Sequence, residues 1–394
     1  MLHAPGLTDC SYIELSRSAL RTNLRFIERL VGRGTTLCSV IKGNAYGHGI
    51  ETFVPLAESC GVRCFAVFSA AEAKVAHSVS TCGSRIQIMG YATADEIEWA
   101  VSQGVELWVH DRGRLELALG AARRVGRPAV LHLELETGMH RTGLDPADLD
   151  VVVDQLVANA DVLQPRGVCT HLAGAESSAN FLRIGRQLDI FDKTVARLSA
   201  AGLGPLERHV ASSAAALIYD RMRLDLVRVG IAQYGFWPSL EIKMHRMVAF
   251  QQDSSARWVD PLKRVISWKS RVMTLKRVSA GQFIGYGNAH QATRLTTVAV
   301  IPVGYAHGFT RSLSNTGRVL VRGRPAPVVG LVGMNLMSVD VTDIPGVAHD
   351  DEVVLIGKQG RHSISVASFS DMTPFLNYEA LARLPRDIPR IVTA

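Results

Sequence analysis

Lys42, Arg141, His171, Ser213 and Arg228 are the residues of this chain whose types and placement combine into chemistry. Each sits in or just past a short, apolar, β-branched run, so a fold that gathers strand ends would gather them together. Lys42 says most. In IKGNAYGHG (41–49) it closes the apolar strand TTLCSVI and has Asn44, Tyr46, Gly47 and Gly49 behind it. A lysine is ordinarily solvated. At the mouth of a strand-lined cavity its ammonium is partly desolvated, its pKa falls, and the neutral amine becomes available to attack a carbonyl.

The elements that must position these residues are legible as a repeating pattern. Strand-like runs at 36–41, 64–68, 85–89, 105–109, 129–135, 166–171, 207–211 and 225–229 alternate with helical or turn-rich segments between about residues 16 and 235. In the first helix Ala19, Leu20, Leu24, Ile27, Leu30 and Val31 recur at helical spacing, and Gly32 and Gly34 supply the stop. Thr93 and Glu96 form a capping box ahead of Ile97 and Trp99. Eight alternating units predict an α/β fold, a parallel eight-stranded β/α barrel with its active site at the C-terminal ends of the strands. An open doubly wound sheet is the competing arrangement.

After about residue 246 the texture changes to Gly- and Val-rich strands, as in TTVAVIPVGYAHG and GRVLVRGRPAPVVGLVGMNLMSVDVTD. The expected division is therefore a barrel domain over 12–246 and a smaller, mainly-β C-terminal domain over 247–394, which residues 1–11 are free to join. FQQDSSARWVDPL (250–262) reads as a loop or linker between them.

Composition excludes several classes. Hydrophobic residues make up 47% of the 394 and charged residues 20%, which supports a large buried core and argues against disorder. Lys and Arg outnumber Asp and Glu by 43 to 36, but the excess is scattered, without the basic run of a nucleic-acid or membrane-surface binder. Cys10, Cys38, Cys60, Cys64, Cys82 and Cys169 show no C-x-x-C pair, so thiols in a reducing cytoplasm are expected, with no metal site. The N-terminal stretch lacks the pattern of an export leader, and no run reaches membrane-spanning length.

IKGNAYGHG resembles the cofactor-lysine motif of the alanine racemase family, enzymes that use pyridoxal 5'-phosphate. Further matches follow in family order: ETGMHRTG (136–143), THLAGAE (170–176), HVASSAA (209–215), VRVGIAQYG (227–235), IGYGNAH (284–290), VGYAHGFTR (303–311) and GLVGMN (330–335). The resemblance implies that Lys42 binds the cofactor covalently and serves one face of Cα as a base, while Tyr286 from the second subunit of a homodimer serves the other. It implies that Tyr46 and Ser213, with amides near Gly230 and Ile231, cradle the phosphate, and that His171 lies against the ring. Arg228 would meet the pyridine nitrogen. A guanidinium only donates, so it leaves that nitrogen unprotonated and the ring a poor electron sink, favouring return of the proton to Cα. Arg141 and the Met334 N–H would hold the substrate carboxylate, with Tyr305, Glu176 and Arg311 in the access corridor.

The chain also departs from the pattern. Glu134 stands where better-known members carry a carbamylated lysine, and its permanent carboxylate is expected to orient Arg141. Leu331, Gly333 and Asn335 replace Arg, Cys and Asp, His307 occupies an acidic position, and Arg386 stands where some members have tyrosine. Losing an arginine and gaining a glycine enlarges and neutralises that side of the pocket. Interconversion of L- and D-alanine is the expected activity; racemisation of another amino acid such as serine, a lyase on the same scaffold, and a cofactor-binding protein without turnover are the alternatives.

Overall fold

The computed structural model describes residues 9–253, 255–366 and 377–394. The chain forms two compact units, one from residues 19–42 and 54–263, the other from residues through 18, 43–53 and 264–394. Strand β1 (Ser11–Ser16) belongs to the second unit.

The first unit is the barrel. Its strands are β2 (Thr36–Val40), β3 (Cys64–Val67), β4 (Arg85–Ile88), β5 (Glu106–Val109), β6 (Ala129–Glu134), β7 (Leu163–Cys169), β8 (Glu207–His209) and β9 (Leu226–Val229). All pair in parallel, in the order 8-7-6-5-4-3-2-9. The Asp225 N–H donates to Arg208 O at 3.1 Å and the Arg228 N–H to Ala211 O at 2.9 Å, which brings the two ends together. Every strand run read from the sequence is present, and the open-sheet alternative is set aside. Helix Arg17–Val31 buries Leu20, Leu24, Ile27 and Val31 and stops at Gly32, whose φ is 88°. The Thr93–Glu96 capping box forms as expected.

The second unit is mainly β: β10 (Ile266–Arg271), β11 (Thr274–Val278), β12 (Thr296–Ile301), β13 (Arg318–Val321), β14 (Arg324–Pro327), β15 (Met337–Asp340), β16 (Glu352–Gln359), β17 (His362–Ile364) and β18 (Arg390–Thr393). One sheet runs 14-13-16-10-1-18 with β17 on β16, and a smaller one runs 11-12-15.

The expected boundary at 246/247 differs from this division. It falls inside helix Leu240–Asp253, so the segment read as a linker begins as helical turns. Ile242 is buried there while Leu240, Met244 and Val248 are exposed, so the helix lacks the apolar stripe that would announce it. At the other end β1 pairs with β10 and β18, partners some 250 or more residues away that leave no local trace in SYIELS.

Directly after Lys42 the backbone reverses hand. Gly43, Asn44, Ala45, Tyr46 and Gly47 all have φ between 51° and 80°, the left-handed region that L-residues avoid. Gly47 N–H bonds to Gly43 O at 3.0 Å and Gly49 N–H to Asn44 O at 2.9 Å. Asn44 Oδ1 accepts the Ile50 N–H at 3.0 Å. Gly47 is required, because an added Cβ would fall 1.9 Å from Leu381 O, and Arg390 Nη2 donates to Gly47 O at 3.0 Å. Among the described residues no helix is long and apolar enough to cross a membrane.

Candidate active site

The C-terminal ends of the barrel strands bring the predicted charged residues together. Ile41 N–H bonds to Ala66 O at 2.8 Å, extending the β2 ladder to the residue before Lys42. The Lys42 side chain keeps accessible surface, yet burial lowers its pKa, and the cations Arg141 and Arg228 lower it further against the opposing pull of Glu72. His171, just past β7, is pushed down to about 3 by burial and then by Arg228, Arg141 and Lys42. Its imidazole is therefore neutral at any pH near 7. Arg141 forms no hydrogen bond or ion pair among the described residues and is felt by its neighbours through space.

Arg228 is the most constrained member. It is 4% exposed, with Trp108 beneath it at 5.2 Å from the ring centre. Nη1 donates to His209 O at 2.6 Å and to His209 Nδ1 at 2.9 Å. Nη2 donates to Thr170 O at 2.9 Å and Val210 O at 3.4 Å. A guanidinium has five hydrogens, and among the described residues only the one on Nε lacks an acceptor. Asp225, three residues before Arg228, is paired with Arg208 at 2.9 Å.

Ser213 is buried and accepts the Gly230 N–H at 2.9 Å and the Ala232 N–H at 3.4 Å, leaving its own hydrogen to donate. Of the two amides singled out from the sequence, Gly230's is thus committed within the protein, whereas no acceptor faces that of Ile231 among the described residues. Glu134 lies at the end of β6 as placed, but its carboxyl is bonded by the Thr142 side chain rather than by Arg141. Burial raises its pKa, with Thr142, Arg228 and Arg141 opposing. Glu134 therefore acts on Arg141 only through space, not by the charge-assisted bond expected.

Of the remaining predicted residues, Glu176 is exposed in the barrel unit and the others lie in the β unit. Tyr46 closes the left-handed turn, edge-on to Tyr378 at 6.5 Å, with burial and Tyr378 pushing its phenol up to about 12. Tyr286, Tyr305 and Met334 stand on loops, of which the last two are tied together: Tyr305 N–H bonds Gly333 O at 3.1 Å and Ala306 N–H bonds Met334 O at 3.0 Å. No acceptor faces the Met334 N–H among the described residues. Tyr286 is 76% exposed. His307 at the acidic position keeps an acceptor there, since its Nδ1 receives the Gly304 N–H at 3.2 Å. Leu331 approaches Gly287, and Asn335 and Arg386 are exposed.

Sequence reasoning passed over Glu106, Trp108, His132 and His209, which line the barrel interior behind Arg228. The available signal was polarity at every second position of apolar strands, as in Glu106 and Trp108 of ELWV and His132 and Glu134 of AVLHLE.

The family description alanine racemase, N-terminal domain, matches residues 15–238, and alanine racemase, C-terminal domain, matches 265–392. The alanine racemase of Symbiobacterium thermophilum is 35% identical over 384 residues, covering 96% of each chain. The chain belongs to the alanine racemase family. Among solved structures, the alanine racemase of Clostridium difficile 630 superposes with a TM-score of 0.88 at 26% identity, covering 98% of this chain and 97% of that one. The alanine racemase of Bartonella henselae, with covalently bound pyridoxal phosphate, gives 0.78 at 26% identity, covering 97% and 99%. Members of the alanine racemase family depend on that cofactor, and the barrel mouth suits it. The spare Nε–H of a buried arginine, the spare hydroxyl hydrogen of Ser213 and the Ile231 amide are donors awaiting acceptors, as a pyridine nitrogen and a phosphate would be.

Proposed function

We propose that this protein is a pyridoxal 5'-phosphate-dependent racemase that interconverts L- and D-alanine with two bases, Lys42 and a Tyr286 lent by a second copy of the chain. The observation that carries the reading is the pairing, at one barrel mouth, of an amine with a lowered pKa and a buried Arg228 whose Nε hydrogen faces no acceptor among the described residues.

The cofactor, when bound, supplies an aldehyde that captures amines and a conjugated ring that draws electron density from Cα. The residues do the rest. Lys42 would hold the cofactor, and on its side of Cα it would take the proton as the neutral amine or return it as the ammonium. Arg141, without a hydrogen-bond or ion-pair partner among the described residues, would clamp the α-carboxylate, with the Met334 N–H as the second donor that the resemblance implies. His171, neutral, would contact the ring, and Ser213, Tyr46 and the Ile231 amide would donate to the phosphate. Arg228 would offer its Nε–H to the ring nitrogen and, having hydrogens only to give, would leave that nitrogen unprotonated and the ring a weaker electron sink, which favours return of the proton to Cα. The phenol of Tyr286 works on the opposite face.

Borohydride reduction followed by peptide mass spectrometry is expected to place the cofactor on Lys42, and chiral chromatography with a panel of single L-amino acids is expected to show D-alanine as the fastest product. Serine belongs in the panel because Leu331 and Gly333, standing where the family carries Arg and Cys, are expected to enlarge and neutralise that side of the pocket. An adduct elsewhere, or no inversion of any amino acid, overturns the proposal; faster inversion of serine would reassign the substrate.

A further inference from the structure

Inside the barrel, behind Arg228, four side chains from β9, β8, β6 and β5 are joined end to end. Arg228 Nη1 lies 2.9 Å from His209 Nδ1, His209 Nε2 lies 2.9 Å from His132 Nδ1, and His132 Nε2 lies 2.8 Å from Glu106 Oε2. Glu106 Oε1 receives Arg85 Nε at 2.9 Å and also Arg166 Nη1. Arg85 forks further onto Glu207 at 2.8 and 3.1 Å. Both histidines are completely buried.

The ends of this row determine its protons. Guanidinium has hydrogens only to give, so His209 Nδ1 must present its lone pair. Although burial opposes ionisation of Glu106, hydrogen bonds from His132 and Arg85 hold its carboxyl at about 2. It is a carboxylate and only accepts, so His132 Nε2 carries a hydrogen. One contact remains, between His209 Nε2 and His132 Nδ1, and it has room for one hydrogen. Placed on His132, that hydrogen would leave an imidazolium beside an imidazolate. Placed on His209, it leaves both rings neutral.

A second proton on His209 would point at Arg228, and burial together with His132, Arg228 and Arg85 already holds its pKa far below the usual value. A single arrangement survives: both imidazoles neutral, both protonated on Nε2, every N–H directed from Arg228 towards Glu106. Bonds aligned in this way polarise and strengthen one another. The backbone makes room for it. The β6–β7 register shifts at Leu131/His132, and Gly167 on β7 stands where a Cβ would fall 2.2 Å from His132 Nδ1.

We propose that His209, His132 and Glu106 are positioning residues that hold Arg228 in one rotation, so that its unclaimed Nε–H is presented to the ring nitrogen of the ligand. The proposal rests on the reading of that ligand as pyridoxal phosphate. Released from the row, Arg228 would donate less well, the ring nitrogen would acquire a proton from water, and the ring would become a better electron sink.

The test uses the purified full-length protein labelled with 15N-histidine, together with His132→Leu, which cuts the row, and His132→Gln, whose amide can still accept from His209 and donate to Glu106. Expected in the unmodified protein are two histidines protonated on Nε2 alone. In His132→Leu the His209 signals move, and conversion of the cofactor to its amine form, counted per racemisation turnover, rises on the order of tenfold; His132→Gln restores both.

Either histidine found doubly protonated, or protonated on Nδ1, overturns the arrangement whether or not the variants fold. A folded His132→Leu with an unchanged ratio overturns the positioning role. Failure of the unmodified protein to take up cofactor would overturn the functional reading and the positioning role with it, while the histidine spectra would still report on the row itself.

Discussion

The barrel mouth and the Tyr286 loops are built on opposite plans. At the mouth, side chains fix side chains: Arg228 spends four hydrogens on protein acceptors, Ser213 gathers two amides, and desolvation lowers the pKa of Lys42 and of His171. In the loops, backbone fixes backbone. A Cβ on Gly330 would meet Ile284 O at 2.6 Å and one on Gly304 would meet Gly333 O at 2.2 Å, so close peptide contacts shape a platform from which Tyr286, Met334 and Leu336 project into solvent. The first plan suits a site that must be electrostatically ready before its ligand arrives. The second, aromatic and apolar yet uncovered, is what a surface made to meet another surface looks like.

Tyr286→Phe gives the sharpest test of that contrast. Turnover should fall by about 10²–10⁴, the usual worth of a general acid–base group. Because the two enantiomers are equal in free energy, kcat/KM must fall equally in both directions. The asymmetry should appear instead in deuterium wash-in: one enantiomer should exchange its Cα hydrogen through Lys42 without inverting, and the other should not exchange. Full activity in both directions would show that the loops contribute no base.

Arg141→Met should weaken kcat/KM for alanine by roughly 10–100-fold, the value of a charge-assisted bond. The same change removes a cation that lowers the Lys42 pKa, so that pKa should rise. The neutral amine then forms only at higher pH, and the pH midpoint for capture of pyridoxal phosphate should move upward; a downward shift would contradict the electrostatic account of the mouth. The smallest effect is expected from Gly330→Ala, where φ is 79°. Turnover should fall about tenfold as the Tyr286 loop shifts, about 1–3 kcal/mol of strain, with the adduct at Lys42 unaltered. A reduced adduct would mean that the two regions are not separable.

Much of this was legible beforehand, for physical reasons that differ by element. The barrel strands announced themselves because parallel strands buried on both faces leave continuous apolar runs, such as TTLCSVI ending at Lys42. Helix Arg17–Val31 was visible in its apolar spacing and terminal Gly32. What escaped was non-local or sparse. Nothing within SYIELS says that it pairs with Arg390–Thr393, and helix Leu240–Asp253 has too few buried residues to mark a face. Among the site residues, types and positions could be read, but partners could not. Glu134 finding Thr142, Gly230 finding Ser213, and the row from Arg228 to Glu106 depend on which interior side chains meet across the barrel.

The mirror-handed turn after Lys42 carries a consequence for any shortened form of the chain. Holding Asn44, Ala45 and Tyr46 there costs on the order of 1–2 kcal/mol each, offset in part by Arg390, which reaches Gly47 across 343 residues. A fragment ending at residue 263 would keep every barrel strand and the amine itself, yet lose that brace. The lysine would then sit on a slack tether, and what such a fragment forfeits is not the nucleophile but its aim.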